Sequence, residues 1–84
     1  MSKKDKLIQK LKSKPKDFTY DELKTLLNYL GFVESNKGKT SGSAVKFIDT
    51  DDKIIELHKP HPSNVIKRYK ISEIIKQLEE WRII

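Results

Sequence analysis

Two short runs of alternating apolar residues, joined by three turn-forming residues, constrain this chain more than any other feature. The runs cover residues 43–49 and 53–59, and Thr50, Asp51 and Asp52 lie between them. Successive side chains of a β-strand point to opposite faces, so this pattern predicts a hairpin with one apolar face. A three-residue turn then pairs Asp49 with Lys53.

This register has consequences for both faces of the hairpin. It places two apolar pairs on the inner face and one opposite-charge pair on the open face, which is the arrangement that stabilises antiparallel strands. The three pairs are Phe47–Ile55, Val45–Leu57 and Lys46–Glu56. It also places Ala44 directly opposite His58 on the open face. A slip of one residue would turn the apolar side chains to solvent, whereas registers shifted by two residues remain alternatives.

A capped, leucine-rich helix precedes the hairpin. Thr19 and Glu22 have the spacing of a capping box, and Phe18 occupies the position of a hydrophobic staple. Four leucines follow at helical spacing before Gly31, which provides the stop. These are Leu23, Leu26, Leu27 and Leu30. We expect this stripe to lie in the core.

The remaining elements are shorter or less regular. A first helix is predicted from Ser2 to Ser13, where Pro15 forbids continuation, and a first strand from Phe32 to Asn36. Residues 59–64 contain two prolines and form a stiff connection that ends the sheet. One helical turn is predicted from Asn64 to Tyr69. The closing helix has the stripe Ile71, Ile74, Ile75, Leu78 and Trp81, and the apolar tail that follows either covers the core or meets a partner.

The order helix, helix, three strands, helix predicts an α+β domain in which helices pack on one face of a three-stranded antiparallel sheet. A chain of 84 residues forms one domain, with residues 1–16 as an N-terminal helical extension and residues 17–84 as the core. The extension holds seven lysines and one aspartate, and the rest of the chain has eleven basic and eleven acidic residues. The net charge of +6 therefore describes the extension and is not evidence for RNA binding.

Composition excludes several classes of protein. The chain has no cysteine, which excludes a disulfide framework and a thiolate zinc site. It has no apolar run of membrane-spanning length and no signal-peptide pattern, so we expect a cytoplasmic protein that does not enter the membrane. Gly38-Lys39-Thr40 is like the end of a phosphate-binding loop, but Val33 stands where that motif needs glycine and a strand follows. Nucleotide hydrolysis at this loop is rejected.

Two stretches are locally basic and contain no acid, namely residues 36–47 and 59–70. Ammonium groups and backbone N–H groups of such stretches can converge on phosphate, so they are the candidate RNA-contacting surface. The alternative is a solvated connection. The candidate RNA-binding residues are Lys37, Lys39, Ser43, Lys46, Lys59, Lys67 and Arg68.

His58 and His61 are the only histidines, and both are candidates for proton transfer. The alternative is that they are ordinary surface histidines. The acidic residues nearby lack the spacing of a zinc site, so no metal and no cofactor is expected. Metal-free RNA cleavage needs only a base for the 2′-hydroxyl proton and a cation beside the phosphorus.

The order of several short motifs resembles the HicA (YcfA-like) toxins of HicA–HicB toxin–antitoxin systems. The motifs are Leu30-Gly31-Phe32, Lys37-Gly38, Gly42-Ser43 with Phe47, His61-Pro62, and the helix from Ile71 to Leu78. The resemblance covers Tyr20 to about Leu78. It implies a fold similar to double-stranded-RNA-binding domains, endoribonuclease activity on mRNA (an mRNA interferase), and a HicB-like antitoxin as partner.

The resemblance also implies a catalytic histidine directly after Gly-Ser, and here that position is Ala44. Three interpretations follow: a histidine was replaced so that a toxic protein could be produced, this branch does not use one, or the protein binds RNA or its antitoxin without cleaving. The hairpin register adds a fourth, in which His58 fills the space opposite position 44 and acts as the base. A non-catalytic RNA-binding module and a protein-interaction domain are the alternatives to an enzyme.

Overall fold

The structure, a computed structural model, describes residues 2–35, 44–60 and 63–84. Its elements follow in the predicted order: α1 Lys3–Lys12, α2 Tyr20–Tyr29, β1 Val33–Ser35, β2 Ala44–Ile48, β3 Ile54–His58 and α3 Arg68–Glu80. The strands form one antiparallel sheet in the order β1-β2-β3. The predicted α+β fold class is therefore confirmed. No helix in the described ranges is long and apolar enough to cross a membrane.

The hairpin has the predicted register. Phe47 lies opposite Ile55, and Ala44 lies opposite His58. The Asp49 N–H donates to the Lys53 carbonyl at 3.1 Å, which closes the three-residue turn. Asp49 Oδ1 accepts a second hydrogen bond from the Lys53 N–H at 2.8 Å. Asp52 adopts a left-handed conformation with φ +65°, as a turn of this length requires.

Both ends of α2 are closed as the sequence predicts. Thr19 Oγ1 accepts from the Glu22 N–H at 3.1 Å, and Glu22 Oε1 accepts from the Thr19 N–H at 3.0 Å. At the other end, Gly31 has φ +95° and the Phe32 N–H donates to the Leu27 carbonyl at 2.8 Å. This bond is the one that defines a Schellman cap, and it turns the Phe32 ring into the core.

Helix α1 docks on α2 by one buried side chain and one ion pair. Leu11 has no exposed surface, and Leu7 and Ile8 pack at its edge. Lys10 Nζ donates to Glu22 Oε2 at 2.7 Å, and Glu22 Oε1 is the acceptor in the α2 capping box. Glu22 therefore closes the start of α2 and holds α1 against it.

The core lies between the helices and the inner face of the sheet. Its members with no exposed surface are Leu11, Phe18, Leu23, Leu26, Leu27, Phe32, Phe47, Ile55, Ile71, Ile74 and Leu78. The tail covers the end of this core, because Trp81 stacks on Phe32 with ring centroids 6.1 Å apart and Ile83 and Ile84 are half-buried beside it. The sequence allows the apolar tail either to cover the core or to meet a partner, and the structure supports packing on the core.

The prediction of a helical turn from Asn64 to Tyr69 is wrong for its first four residues. Val65 instead forms an isolated antiparallel bridge with Thr19. The Ile66 N–H donates to the Phe18 carbonyl, and the Tyr20 N–H donates to the Asn64 carbonyl, both at 2.8 Å. This pairing provides hydrogen-bond partners for backbone N–H and C=O groups that a single helical turn would leave without partners. We call these contacts the α2 clamp; α3 begins after it, at Arg68.

Asp52→Gly should stabilise the protein. Glycine tolerates a positive φ without the steric cost that an L side chain incurs, so we expect a gain of about 0.5–1 kcal/mol in the free energy of unfolding. Asp51→Gly is the matched control, because Asp51 does not have a positive φ; it should lose up to about 1 kcal/mol. Urea unfolding of both variants measures the difference. Equal losses in both would show that the turn at Asp52 stores no strain.

Part of the stability should depend on the ionisation of Glu22. Burial pushes the pKa of Glu22 upward, but hydrogen bonds from Lys10 and Thr19 outweigh it and leave this pKa below its ordinary value. A lowered folded-state pKa stabilises the protein above the unfolded pKa, near 4.3, and this contribution is lost as the pH falls through the folded value.

The Glu22→Gln variant should accordingly lose less stability than the parent between pH 6 and pH 3, as measured by urea unfolding at each pH. Glutamine can still reach back to the cap, so the helix start is retained. Glu79→Gln, at an exposed position of α3, is the control and should keep the parent's pH profile. Parallel profiles for the parent and Glu22→Gln would contradict this role for Glu22.

Candidate nucleic-acid interface

The open face of the sheet carries side chains in rows that cross the strands. An apolar row consists of Val33, Ile48 and Ile54, and the next row contains the Lys46–Glu56 pair. The last row in the described ranges consists of Ala44 and His58. Going away from the hairpin turn, the rows of the open face are therefore first aliphatic and then charged. The last row is an alanine opposite a histidine.

His58 stands directly opposite Ala44. Opposed residues of antiparallel strands have Cβ atoms about 4.5–5.5 Å apart, and the alanine methyl leaves the space beside the imidazole open. His58 is exposed and Ala44 is half-buried. An imidazole at His58 can therefore reach the volume that a longer side chain at position 44 would occupy.

A groove runs between β3 and the start of α3. Its volume is about 580 Å³, within the range of ligand-binding clefts. The β3 side contributes Ala44, His58, Lys59 and Pro60, and the α3 side contributes Ser63, Lys67, Tyr69, Lys70 and Glu73. We call this the β3–α3 groove. It joins His58, which the hairpin register singles out, to residues that lie five to fifteen positions further along the chain.

The charges of the groove divide into two groups. Near its α3 side, Lys70 Nζ lies 3.0 Å from Glu73 Oε2, so these two charges balance. Lys67 has no ion-pair or hydrogen-bond partner for its ammonium group within the described residues. Lys59 is next to His58, and its Nζ lies 5.4 Å from the centre of the Tyr20 ring, a cation–π contact. Lys59 and Lys67 are therefore the cations available to an anion in the groove.

Tyr20 supports this arrangement from inside the core. Its hydroxyl donates to Glu34 Oε1 at 2.8 Å, and its ring lies 6.2 Å from that of Phe47. Burial, and then the hydrogen bond to Glu34, raises the pKa of Tyr20 well above its ordinary value, so the phenol stays neutral. Lys24 Nζ lies 3.6 Å from the same Glu34 oxygen. A neutral ring fixed in this way can hold the Lys59 ammonium at its face.

The α2 clamp positions the other wall of the groove. Besides its backbone bonds, Asn64 Nδ2 donates to Asp21 Oδ2 at 3.1 Å. These contacts fix residues 64–66 against the start of α2, so that Lys67, the N-cap of α3, and Tyr69, in its first turn, lie at the groove. No local sequence pattern indicates the clamp, because its partners lie more than forty positions apart.

The described part of the chain brings together four of the predicted site residues and separates two. Ala44, His58, Lys59 and Lys67 line the β3–α3 groove. Lys46 lies in the neighbouring row, with its Nζ 3.8 Å from Glu56 Oε2. Arg68 is exposed, and its Nε donates to the Lys14 carbonyl at 3.1 Å, which draws it toward the end of α1. The candidates Lys37, Lys39, Ser43 and His61 lie outside the described residues.

Sequence reasoning included Lys70 in the basic stretch 59–70 without singling it out as a site residue, and it missed Tyr69 as a groove residue. A signal was present for Tyr69, because it precedes Ile71 by two positions and so lies about 160° around the helix from that member of the apolar stripe of α3. An aromatic residue on the polar side of a helix, between Lys67 and Lys70, points to a surface role. As for metals, no group of three or more potential ligands lies together in the residues that the structure describes.

A protein-family model described as HicA toxin of bacterial toxin–antitoxin matches residues 20–79. No curated protein and no solved structure matches the chain. The matched span begins with α2 and includes the whole sheet and all but the last residue of α3. It therefore contains both walls of the β3–α3 groove and leaves α1 outside.

Proposed function

The chain belongs to the HicA toxin family of bacterial toxin–antitoxin systems, and from this premise we propose that it is an endoribonuclease that cleaves mRNA. Its partner is a HicB-like antitoxin that neutralises it. Because mRNA is translated in the cytoplasm, the cytoplasm is the proposed place of action. The observation that carries the proposal is the position of His58, which faces Ala44 in a groove with two available lysines.

The proposed reaction uses the 2′-hydroxyl of the RNA as nucleophile. His58 removes the proton from this hydroxyl, and the 2′-oxygen attacks the adjacent phosphorus. The bond between phosphorus and the 5′-oxygen breaks, which leaves a 2′,3′-cyclic phosphate and a 5′-hydroxyl. Lys59 and Lys67 stabilise the charge that develops on the phosphoryl oxygens. His61 is the second candidate for proton transfer, and water can supply the proton to the 5′-oxygen.

One observation favours a second function, in which the protein binds RNA or its antitoxin without cleaving. Among the described residues, no side chain or backbone group forms a hydrogen bond with the His58 imidazole. Catalytic bases are usually oriented by a further group. With alanine at position 44 and no orienting partner for His58 in the described ranges, a non-catalytic RNA-binding module is the rival to the enzyme.

His58→Ala should slow cleavage strongly. Loss of a general base typically lowers the rate 10²- to 10⁴-fold, so we expect at least a hundredfold slower cleavage of a single-stranded mRNA fragment in the presence of EDTA. Ile54→Ala, on the same strand and face, is the matched control and should keep the parental rate. Undiminished cleavage in both His58→Ala and His61→Ala would remove histidine from the mechanism.

The Ala44→His variant separates the enzyme from the binding module. If expression of the parent arrests bacterial growth and His58→Ala relieves the arrest, the parent is an active nuclease. If only Ala44→His arrests growth, the parent is a nuclease without its base. If neither is toxic while RNA is still bound, the binding module is the function.

RNA affinity should fall steeply with salt, and Lys59 and Lys67 should account for part of the slope. Each phosphate contact on a single strand contributes about −0.7 to the slope of log K against log salt. The double variant Lys59→Gln/Lys67→Gln should therefore have a slope shallower by roughly 1.4 in a titration of a labelled single-stranded oligonucleotide.

Lys3→Gln/Lys4→Gln changes the net charge by the same amount but alters only exposed residues of α1. It should leave the slope nearly unchanged. Equal effects of the two double variants would mean that the protein attracts RNA by its overall charge and not through the groove.

A further inference from the structure

Tyr69 is the most exposed large apolar side chain among the described residues, at 66% of its full surface. Its ring lies at the start of α3 and lines the β3–α3 groove. Single exposed apolar residues are ordinary on protein surfaces. Tyr69 differs in its surroundings, because it shares a groove with His58, Lys59 and Lys67. Tyr29 on α2, which is 49% exposed, does not line that groove.

An exposed aromatic face beside lysines is the arrangement that binds single-stranded nucleic acid. The lysines hold the backbone, and a base stacks on the ring regardless of its identity. In RNA recognition the bases of unpaired segments are splayed out and stacked on tyrosine or other aromatic side chains. The β3–α3 groove contains both components within one cleft of about 580 Å³.

The charge pattern distinguishes a base from a phosphate at this position. Tyr69 and Glu73 are four residues apart on α3 and therefore lie on the same side of the helix. The Glu73 carboxylate is paired with Lys70 at 3.0 Å, and the Glu56 carboxylate, also in the groove lining, lies 3.8 Å from Lys46 Nζ. The Lys70 ammonium is therefore not available to a phosphate at this end, whereas a neutral base needs no cation there. An acidic peptide, which does need one, is disfavoured for the same reason.

We propose that Tyr69 forms a stacking subsite for one base of single-stranded RNA, next to the phosphate that His58 and Lys59 approach. The inference rests on the proposed RNA-directed function. It adds that the α3 wall of the groove recognises the base of one nucleotide. The subsite holds the base by its flat face, so it selects single-stranded over double-stranded RNA and discriminates little between bases.

The test measures binding of a labelled eight-nucleotide 2′-O-methyl RNA, which cannot be cleaved at its 2′-oxygens, by fluorescence anisotropy. Tyr69→Ala should weaken this binding about tenfold, whereas Tyr69→Phe should retain it because the ring remains. Tyr29→Ala is the matched control and should bind like the parent. An oligomer of the same length built from abasic units should bind the parent and Tyr69→Ala equally.

Other results would overturn the subsite. If Tyr69→Ala binds the RNA like the parent, while the parent's affinity depends on salt, the stacking role is wrong and the RNA-directed function stands. A loss of affinity that is equal for the abasic oligomer would assign Tyr69 to the backbone or to the fold. Unchanged RNA affinity with weakened antitoxin binding would assign the ring to the protein partner. If the parent binds no RNA at any salt concentration, the proposed function fails together with the subsite.

Discussion

The antiparallel pairing of β2 with β3 organises both sides of the molecule. On its inner side, the register brings Phe47 opposite Ile55, and these two side chains are part of the core on which the helices pack. On its outer side, the same register brings Ala44 opposite His58. Because strand side chains alternate strictly, a change of register that separates Phe47 from Ile55 also separates Ala44 from His58. A slip of one residue would expose the core and bury the candidate site together.

The candidate site is completed by contacts with the start of α2. The α2 clamp ties residues 64–66 to residues 18–20, and this determines where α3 begins and which of its residues line the groove. Tyr20 belongs to the same region and lies under Lys59. The start of α2, which the capping box already closes, therefore also supports both walls of the β3–α3 groove. Changes there would alter the site without touching any residue that RNA could contact.

Helix α1 lies outside the part of the chain that matches the HicA toxin family, yet it contributes to the core. Leu11 is fully buried, and the Lys10–Glu22 pair joins α1 to the capped end of α2. The lysines of α1 provide most of the net charge of the chain, but the lysines that line the groove lie in the matched region, directly after β3 and at the start of α3. The net charge of the chain therefore does not indicate where the candidate site lies.

The sequence by itself determined the elements with local signatures: the capping box of α2, the glycine stop at Gly31, and a hairpin whose alternation and turn length favour one register, with registers shifted by two residues as alternatives. The juxtaposition of Ala44 and His58 follows from that register. These features depend on spacings of two to four residues, which a sequence displays directly. Only the tertiary structure decided that Lys67 and Tyr69 line the groove while Arg68 turns to the Lys14 carbonyl. That choice depends on backbone pairing between residues 18–20 and 64–66, and no local pattern encodes a contact over such a distance.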